Sequence, residues 1–340
     1  MAEPVTLTVE RATRLAAQAL AACNTATANA ESTARALVDA EVDGQAGHGL
    51  SRVPSYAAQA RVGKVDGAAQ PEVIQTAPSV VRVDAHGGFA YPAVDLAIEA
   101  LAPLARRCGV AGAGIYASHH FGQAGRHVER LACKGLVAIA MSNTPKAMAF
   151  PAASGAMLGT NPIAFAAPLP GRPPLVIDMA LSQVARGRIV AAHKAGRSIP
   201  PDWATDAAGE PTTDAGAALE GALLPMGGPK GAALALMVEV LCAALVGGRF
   251  GWEATSFLDA EGDAPRVGHL LIAFDPMAFA GEAFPARMAA MLEAATTGGG
   301  RLPGDRRLAA RARAAAEGLS LPAALHREIC SLAGQAQGVA

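Results

Sequence analysis

Between residues 110 and 194 the chain alternates short apolar runs with stretches of helical period, and this pattern restricts the possible folds more than any other feature. Residues 110–117, 136–142, 161–167 and 175–179 read as strands, and 123–134 and 184–194 as helices. A strand of half-buried character has period 2 and a helix period 3.6, so the alternation predicts an α/β sheet domain. Around it, residues 8–22, 31–43, 51–62 and 94–107 read as helices. The stretch 73–84, divided by Pro78-Ser79, reads as two strands or a hairpin. Further on, a long helix is expected over 230–246, a strand over 269–274, a helix over 287–294, and two terminal helices from Asp305, parted near Gly318 and Pro322. The segment 200–211, rich in turn residues but carrying Trp203, is expected to be an ordered connection.

With 340 residues, 51% of them hydrophobic, the chain can bury a sizeable core. Aromatic residues make up only 4%, so helices must pack closely through small side chains. A net charge of -1 argues against nucleic acid or an anionic membrane as the main partner, because no basic field is present to meet either. Cys23, Cys108, Cys133, Cys242 and Cys330 are scattered singly, which supports neither a disulfide framework nor a zinc site. The longest apolar run, 231–246, is interrupted by Glu239 and falls short of the roughly 18 residues a membrane span requires. No secretory signal pattern is visible, and a cytoplasmic location is expected.

One polar stretch stands out against this background: Asp43-Gly44-Gln45-Ala46-Gly47-His48-Gly49-Leu50-Ser51-Arg52, which closes a helical pattern. If Gly49 opens a new helix, His48 and Arg52 share one face about a turn apart. A guanidinium can hold a carboxylate through two parallel hydrogen bonds while an imidazole moves a proton, so the pair suits an anionic substrate. On this stretch alone two solvated residues at a helix start are the commoner reading, since a lone His/Arg pair is common. No Gly-x-Gly-x-x-Gly, phosphate-loop or Gly-x-Ser-x-Gly pattern accompanies it, so the ordinary dinucleotide-binding and serine-hydrolase fingerprints are missing.

Taken in order, seven segments resemble the type 2 malate/L-lactate dehydrogenase family, which includes sulfolactate and ureidoglycolate dehydrogenases and reductases of cyclic 2-imino acids. They are Gly47-His48-Gly49-Leu50-Ser51-Arg52, Ser118-His119-His120-Phe121-Gly122, Gly159-Thr160-Asn161-Pro162-Ile163-Ala164, Val176-Ile177-Asp178-Met179-Ala180, Pro211-Thr212-Thr213-Asp214, Pro225-Met226-Gly227-Gly228-Pro229-Lys230-Gly231 and Leu302-Pro303-Gly304-Asp305-Arg306-Arg307. The resemblance implies a non-Rossmann NAD(P)-binding α/β fold with a mixed sheet, a helical N-terminal layer and C-terminal helices, in a homodimer. It places a helical, substrate-side region at 1–110, the cofactor-binding domain at 111–268, and a returning strand with terminal helices at 269–340. It also implies NADP or NAD as cofactor and a small carboxylate as substrate. By the same resemblance His48 and Arg52 lie near the substrate, His120 is the acid/base candidate and touches the cofactor, and Thr160 and Asp178 approach the nicotinamide. Gly227, Gly228 and Lys230 would hold the cofactor phosphates, and Arg306 and Arg307 the ribose phosphate of NADP, unless these two arginines are only part of a solvated helix face. No metal site is implied.

His119 and His120 are adjacent, and at a strand end they are expected to point to opposite faces, leaving one for the site. Lys146, after a strand, could face an acidic substrate. Three positions depart from the family pattern: Gly47 stands where many members carry serine, Pro151-Ala152-Ala153-Ser154-Gly155 replaces Pro-x-Gly-Gly, and Leu181 replaces threonine. The expected activity is hydride transfer at C2 of a 2-oxo acid, with reduction of a cyclic 2-imino acid, or a catalytically inactive ligand-binding relative, as the alternatives.

Overall fold

The computed structural model describes residues 3–151 and 155–335. The N-terminal part comprises β1 (Val5–Leu7), α1 (Val9–Ala21), α2 (Thr27–Val42), α3 (Val53–Val62), the strands β2 (Glu72–Ala77) and β3 (Val80–Asp84), and α4 (Ala90–Cys108). The middle part follows as β4 (Val110–Ser118), α5 (Ala124–Ala132), β5 (Val137–Ser142), the short strands β6 (Met148–Ala149) and β7 (Ala156–Leu158), β8 (Ile163–Leu169), β9 (Arg172–Met179), α6 (Arg186–Lys194), α7 (Ala215–Glu220) and α8 (Pro229–Glu239). The chain closes through β10 (Val267–Phe274), α9 (Pro276–Phe279), α10 (Ala283–Thr296), α11 (Asp305–Glu317), β11 (Leu319–Leu321) and α12 (Ala323–Leu332).

Seven strands form one sheet in the order β2-β3-β4-β10-β5-β8-β9. Only β3 and β4 pair in parallel; the other five pairings are antiparallel. The mixed, mainly antiparallel sheet explains the missing glycine fingerprint, which belongs to a parallel strand-helix-strand unit. The sheet draws strands from all three stretches expected from the sequence, with β10 at its centre.

Low aromatic content shows directly in the packing. On the face covered by α4 and α5, the register sets Ala111, Ala273, Ala138 and Ala166 in one row across four strands, each almost fully buried. A second row runs Ala113, Leu271, Ala140 and Ala164 and ends on Asp178 of β9. Methyl side chains in these rows let the helices sit close to the sheet, and the strict period of 2 places Asp178 on the α5 side of the edge strand.

Several elements differ from the sequence reading for identifiable reasons. Residues 5–7 and 319–321 pair antiparallel, Val5 with Leu321 and Leu7 with Leu319. α2 begins at Thr27 rather than 31, and α4 at Ala90 rather than 94. In α4, Pro92 lies in the first turn, where its missing N–H costs nothing. The long helix over 230–246 is α-helical only to Glu239 and continues as a π-helical turn, Val240–Ala244. Glu239, just before that turn, is buried and accepts hydrogen bonds from Asn143 (2.9 Å), Asn161 (2.8 Å) and the Gly251 amide (2.6 Å). No helix among the described residues is long and apolar enough to cross a membrane.

Candidate active site

The His48 segment is not the α-helix expected from Gly49. Ala46–His48 and Leu50–Arg52 form separate 3-10 turns, and α3 starts at Val53 with Pro54 in its first turn. The half-buried Glu41 carboxylate ties the segment down by accepting from the Leu50 amide at 2.9 Å. The Arg52 Nε donates to the Gly47 carbonyl at 2.7 Å, and its guanidinium has no carboxylate partner among the described residues. Its charge bears on His48, His119, His120, Tyr56 and Tyr91. The His48 ring stacks on that of His120, with centroids 5.2 Å apart and planes 17° from parallel. Burial, reinforced by Arg52, pushes His48 down to about 4. Its Nδ1 is buried and has no protein partner among the described residues. An unpaired buried nitrogen beside a guanidinium that lacks a carboxylate partner among the described residues is what a polar ligand would complete.

The neighbouring histidines do not point to opposite faces. The strand ends at Ser118, and Ala117 already has a left-handed backbone (φ 49°), so simple alternation no longer applies. Both rings turn toward α3, one helical turn apart, and both lie 5.2 Å from the Phe257 ring. They nevertheless have different partners. Gln59 Nε2 donates to the Phe257 carbonyl at 2.9 Å, which fixes Gln59 Oε1 as the acceptor for His119 Nε2 at 2.7 Å. His119 is fully buried, its only proton engaged, and its pKa pushed down to about 3 by burial and by the charges of Lys64 and Arg52. His120 bonds through Nδ1 to the Tyr56 hydroxyl at 2.7 Å, leaving Nε2 without a partner among the described residues. Burial first, then Arg52 and the neighbouring rings, hold His120 well below the ordinary imidazole value.

The expected cofactor residues form a connected path. The Gly125 amide, in the first turn of α5 just after His120, donates to Asp178 Oδ2 at 2.8 Å. Three residues beyond Asp178, the Leu181 amide donates to the Thr160 carbonyl at 2.8 Å, and the Leu181 carbonyl accepts from Met226 at 2.9 Å. Met226 leads into Gly227 (φ 63°) and Gly228 (φ 65°), the left-handed turn that opens α8, with exposed Lys230 in that helix's first turn. Apart from their chain neighbours, no described residue has an atom within 4 Å of where a side chain would begin at either glycine. Bare backbone at the start of an eleven-residue helix, with a lysine beside it, suits a phosphate. A cleft of about 480 Å³ adjoins this turn, walled by Phe150, Leu224, Pro225 and Pro229. These residues fit a nicotinamide dinucleotide.

Gly304 sits beside the Val176 carbonyl, so the start of α11 adjoins β9. Arg306 there is exposed, whereas Arg307 turns inward toward Asp43 and Glu129. Lys146 is exposed on a loop whose amide donates to Gly251, and no contact joins it to the histidines. Around Gly47 nothing among the described residues, its chain neighbours aside, lies within 4 Å of a side-chain position, so the missing serine leaves open space beside His48. Leu181 is fully buried in the core beneath the cofactor path. Of the replacement at 151–155, residues 152–154 lie outside the described residues. Sequence reasoning missed Tyr56, Tyr91, Gln59 and Phe257. A four-residue step beyond Arg52 leads to Tyr56, the one signal that could have found it.

The malate/L-lactate dehydrogenase family profile matches residues 7–330. A (2R)-3-sulfolactate dehydrogenase (NADP(+)) of Chromohalobacter salexigens is 52% identical over 326 residues, 95% of this chain and 96% of that protein. A Delta(1)-pyrroline-2-carboxylate/Delta(1)-piperideine-2-carboxylate reductase of Pseudomonas aeruginosa is 40% identical over 331 residues, 96% of this chain and 99% of that protein. Among solved structures, the delta1-piperideine-2-carboxylate reductase of Pseudomonas syringae pvar. tomato superposes with a TM-score of 0.91 at 38% identity, over 96% of this chain and 99% of that one. Sequence profile, relatives and fold agree with the ordered motifs, and the chain belongs to the malate/L-lactate dehydrogenase family and is an NAD(P)-dependent oxidoreductase.

Proposed function

We propose that the chain transfers hydride between NADP(H) and C2 of a small 2-oxo or 2-hydroxy acid of the sulfolactate or malate kind. The observation that carries this reading is the stacked His48–His120 pair beside an Arg52 guanidinium that lacks a carboxylate partner among the described residues. The 52% identical sulfolactate dehydrogenase supports the substrate class and the choice of NADP. When bound, the nicotinamide supplies or accepts the hydride. Arg52 grips the substrate carboxylate and fixes C2 in place. His120 Nε2 holds the oxygen at C2 and is its route for a proton. Asp178 and Thr160 flank the nicotinamide side, Gly227, Gly228 and Lys230 hold the phosphates, and Arg306 stands by the ribose.

Reduction of a cyclic 2-imino acid is the second reading, favoured by the 40% identical reductase and the 0.91 superposition. Absorbance of NADPH and NADH followed with a panel of oxo acids and cyclic imines separates the two. The 2-oxo acid reading fails if only imines turn over. No turnover and no cofactor binding would instead indicate a ligand-binding relative.

The proposal extends to a homodimer in the cytoplasm. Leu236, Met237, Val240 and Leu245 leave 37–67% of their surface exposed along α8 and the π-helical turn, an apolar face suited to a second copy. Five free thiols fit a reducing compartment. We assign the cofactor to 111–268 and the substrate side to 1–110 together with 269–340, a grouping supported by the β1–β11 pairing. An active monomer in sedimentation would refute the dimer.

A further inference from the structure

We infer that Tyr56, backed by Tyr91, is a positioning residue that fixes His120 as the tautomer with its proton on Nε2, so that the ring presents a donor to the oxygen at C2. This rests on His120 being the residue that meets that oxygen.

The argument is an accounting of protons. Tyr56 and Tyr91 are buried, 0% and 3% exposed, with hydroxyls 3.3 Å apart, and Tyr56 lies 2.7 Å from His120 Nδ1. Each hydroxyl has one proton to place. If Tyr91 donates to Tyr56 and Tyr56 donates to Nδ1, both phenolic protons have acceptors and only a lone pair on Tyr91 is left over. In the reverse chain Nδ1–H donates to Tyr56 and Tyr56 to Tyr91. The Tyr91 proton then has no acceptor among the described residues. A buried donor left without a partner costs about 1–3 kcal/mol, enough to favour the first chain by roughly tenfold or more. Tyr91 cannot easily swing away to seek another acceptor. Its hydroxyl sits 2.7 Å from where a side chain would begin at Gly122, pressed against the loop that carries His120.

The chain also resolves how a neutral imidazole can serve as an acid. As hydride adds to C2, the Nε2–H bond breaks and an O–H bond forms on the substrate. In the same step Nδ1 takes the Tyr56 proton, which leaves a neutral imidazole and a phenolate. Burial raises the Tyr56 pKa and so works against that phenolate, while the Arg52 charge and the hydrogen bond from Tyr91 offset part of the cost. Solvent returns the proton after product leaves. Oxidation of the alcohol runs the same transfers backwards.

Nitrogen NMR of histidine-labelled protein tests this, with His120 assigned by the signals lost in His120→Gln. The expected spectrum has a bare Nδ1 and a protonated Nε2. A proton on Nδ1 overturns the inference without requiring any tyrosine variant to fold. Tyr56→Phe should lower turnover of the oxo acid by about 10–100-fold, with KM and cofactor affinity within about threefold, and should mix the His120 tautomers. Tyr91→Phe should do less, because the 3.3 Å contact is long for a hydroxyl pair. A merely structural role would raise KM and leave the tautomer unchanged. Unchanged turnover in Tyr56→Phe beside lost turnover in His120→Gln sinks the inference and spares the functional reading. Unchanged turnover in His120→Gln sinks that reading itself.

Discussion

Two polar regions share the same elements and are built in opposite ways. In one, α2, α5 and α11 meet around Asp43, Glu129, Arg307 and Arg311. Arg311 donates to Asp43 Oδ2 at 3.0 Å and to the Glu129 oxygens at 2.8 and 2.6 Å, Arg126 reaches Glu129 at 3.0 Å and Asp39 at 2.9 Å, and Gln123 reaches Asp43 at 2.8 Å. In the other, the loops just past α2 and just before α5 bring together His48, Arg52 and His120, where His48 Nδ1, the Arg52 guanidinium and His120 Nε2 lack the partners their chemistry calls for. Asp43 is five residues from His48, and Glu129 nine from His120. Burying a charge is tolerable when it is paired, and here the charges are ion-paired, although Arg307 Nε and Nη2 and Gln123 Oε1 make no hydrogen bond among the described residues, so the first region is largely closed and holds the loops in register. The second is left open to a substrate. Polar residues therefore divide by their partners, and burial alone does not sort them.

The largest effect should come from breaking the open region. His120→Ala is expected to lower oxo-acid turnover by about 10²–10⁴-fold while nicotinamide binding survives. His119→Ala should destabilise the fold and spare the turnover of molecules that remain folded, because its one proton is committed to Gln59. Equal losses of turnover from both replacements would abolish the distinction. With a cyclic imine, hydride addition gives a neutral amine and needs no proton at that step, so the His120 effect should shrink.

The closed region should fail in stability. Glu129→Gln keeps the shape and removes the charge on which Arg126, Arg307 and Arg311 converge, an expected loss of about 3–5 kcal/mol in denaturant unfolding. Turnover per folded molecule should not change. A fall in turnover without a fall in stability would mean that the cluster takes part in the site.

Arg52→Lys keeps the charge and loses the planar fork. If the carboxylate grip is bidentate, substrate binding should weaken by about 1–3 kcal/mol, read as a raised KM. An unchanged specificity constant would remove Arg52 from the site.

The line between legible and illegible follows the range of the interaction. The runs at 110–117, 136–142 and 175–179 announced β4, β5 and β9 because a strand's period is local. β1 and β11, three residues each, are too short to show a period, and each depends on a partner at the far end of the chain. The π-helical turn at Val240 interrupts a sequence that stays apolar through Val246, so local pattern carried the helix too far. Motif order located His48, Arg52, His120 and the glycine turn. It could not show that Tyr56 reaches His120 across 64 positions, or that Gln59 reaches His119 across 60. Arg306 and Arg307 look alike in the sequence, and only the position of α11 on β9 turns one to solvent and the other to the ion cluster.

Acid should separate the charged cluster from the buried histidines packed behind the open region by the pH at which each gives way. His119 and His269 are pushed down to about 3, and His127 to about 4, chiefly by burial. Unfolded, each titrates near 6.5, so below that value the unfolded chain binds more protons than the folded one. The stability these neutral rings contribute is thus complete above 6.5 and is lost as pH falls toward 3–4. Each ring costs about 1.4 kcal/mol per pH unit within that window. Burial alone would raise Glu129, but Arg311, Arg307 and Arg126 outweigh it and hold its pKa below 4.5. Its contribution is therefore present above 4.5 and lost only below. Unfolding free energy measured across pH should decline from 6.5 to 4.5 through the histidines, and more steeply below 4.5 as Glu129 joins. In Glu129→Gln the upper decline should persist while the added steepness disappears. A wild-type curve that is flat between 6.5 and 4.5 would show that the buried rings find protons or partners in the folded state, and the division between the two regions would have to be redrawn.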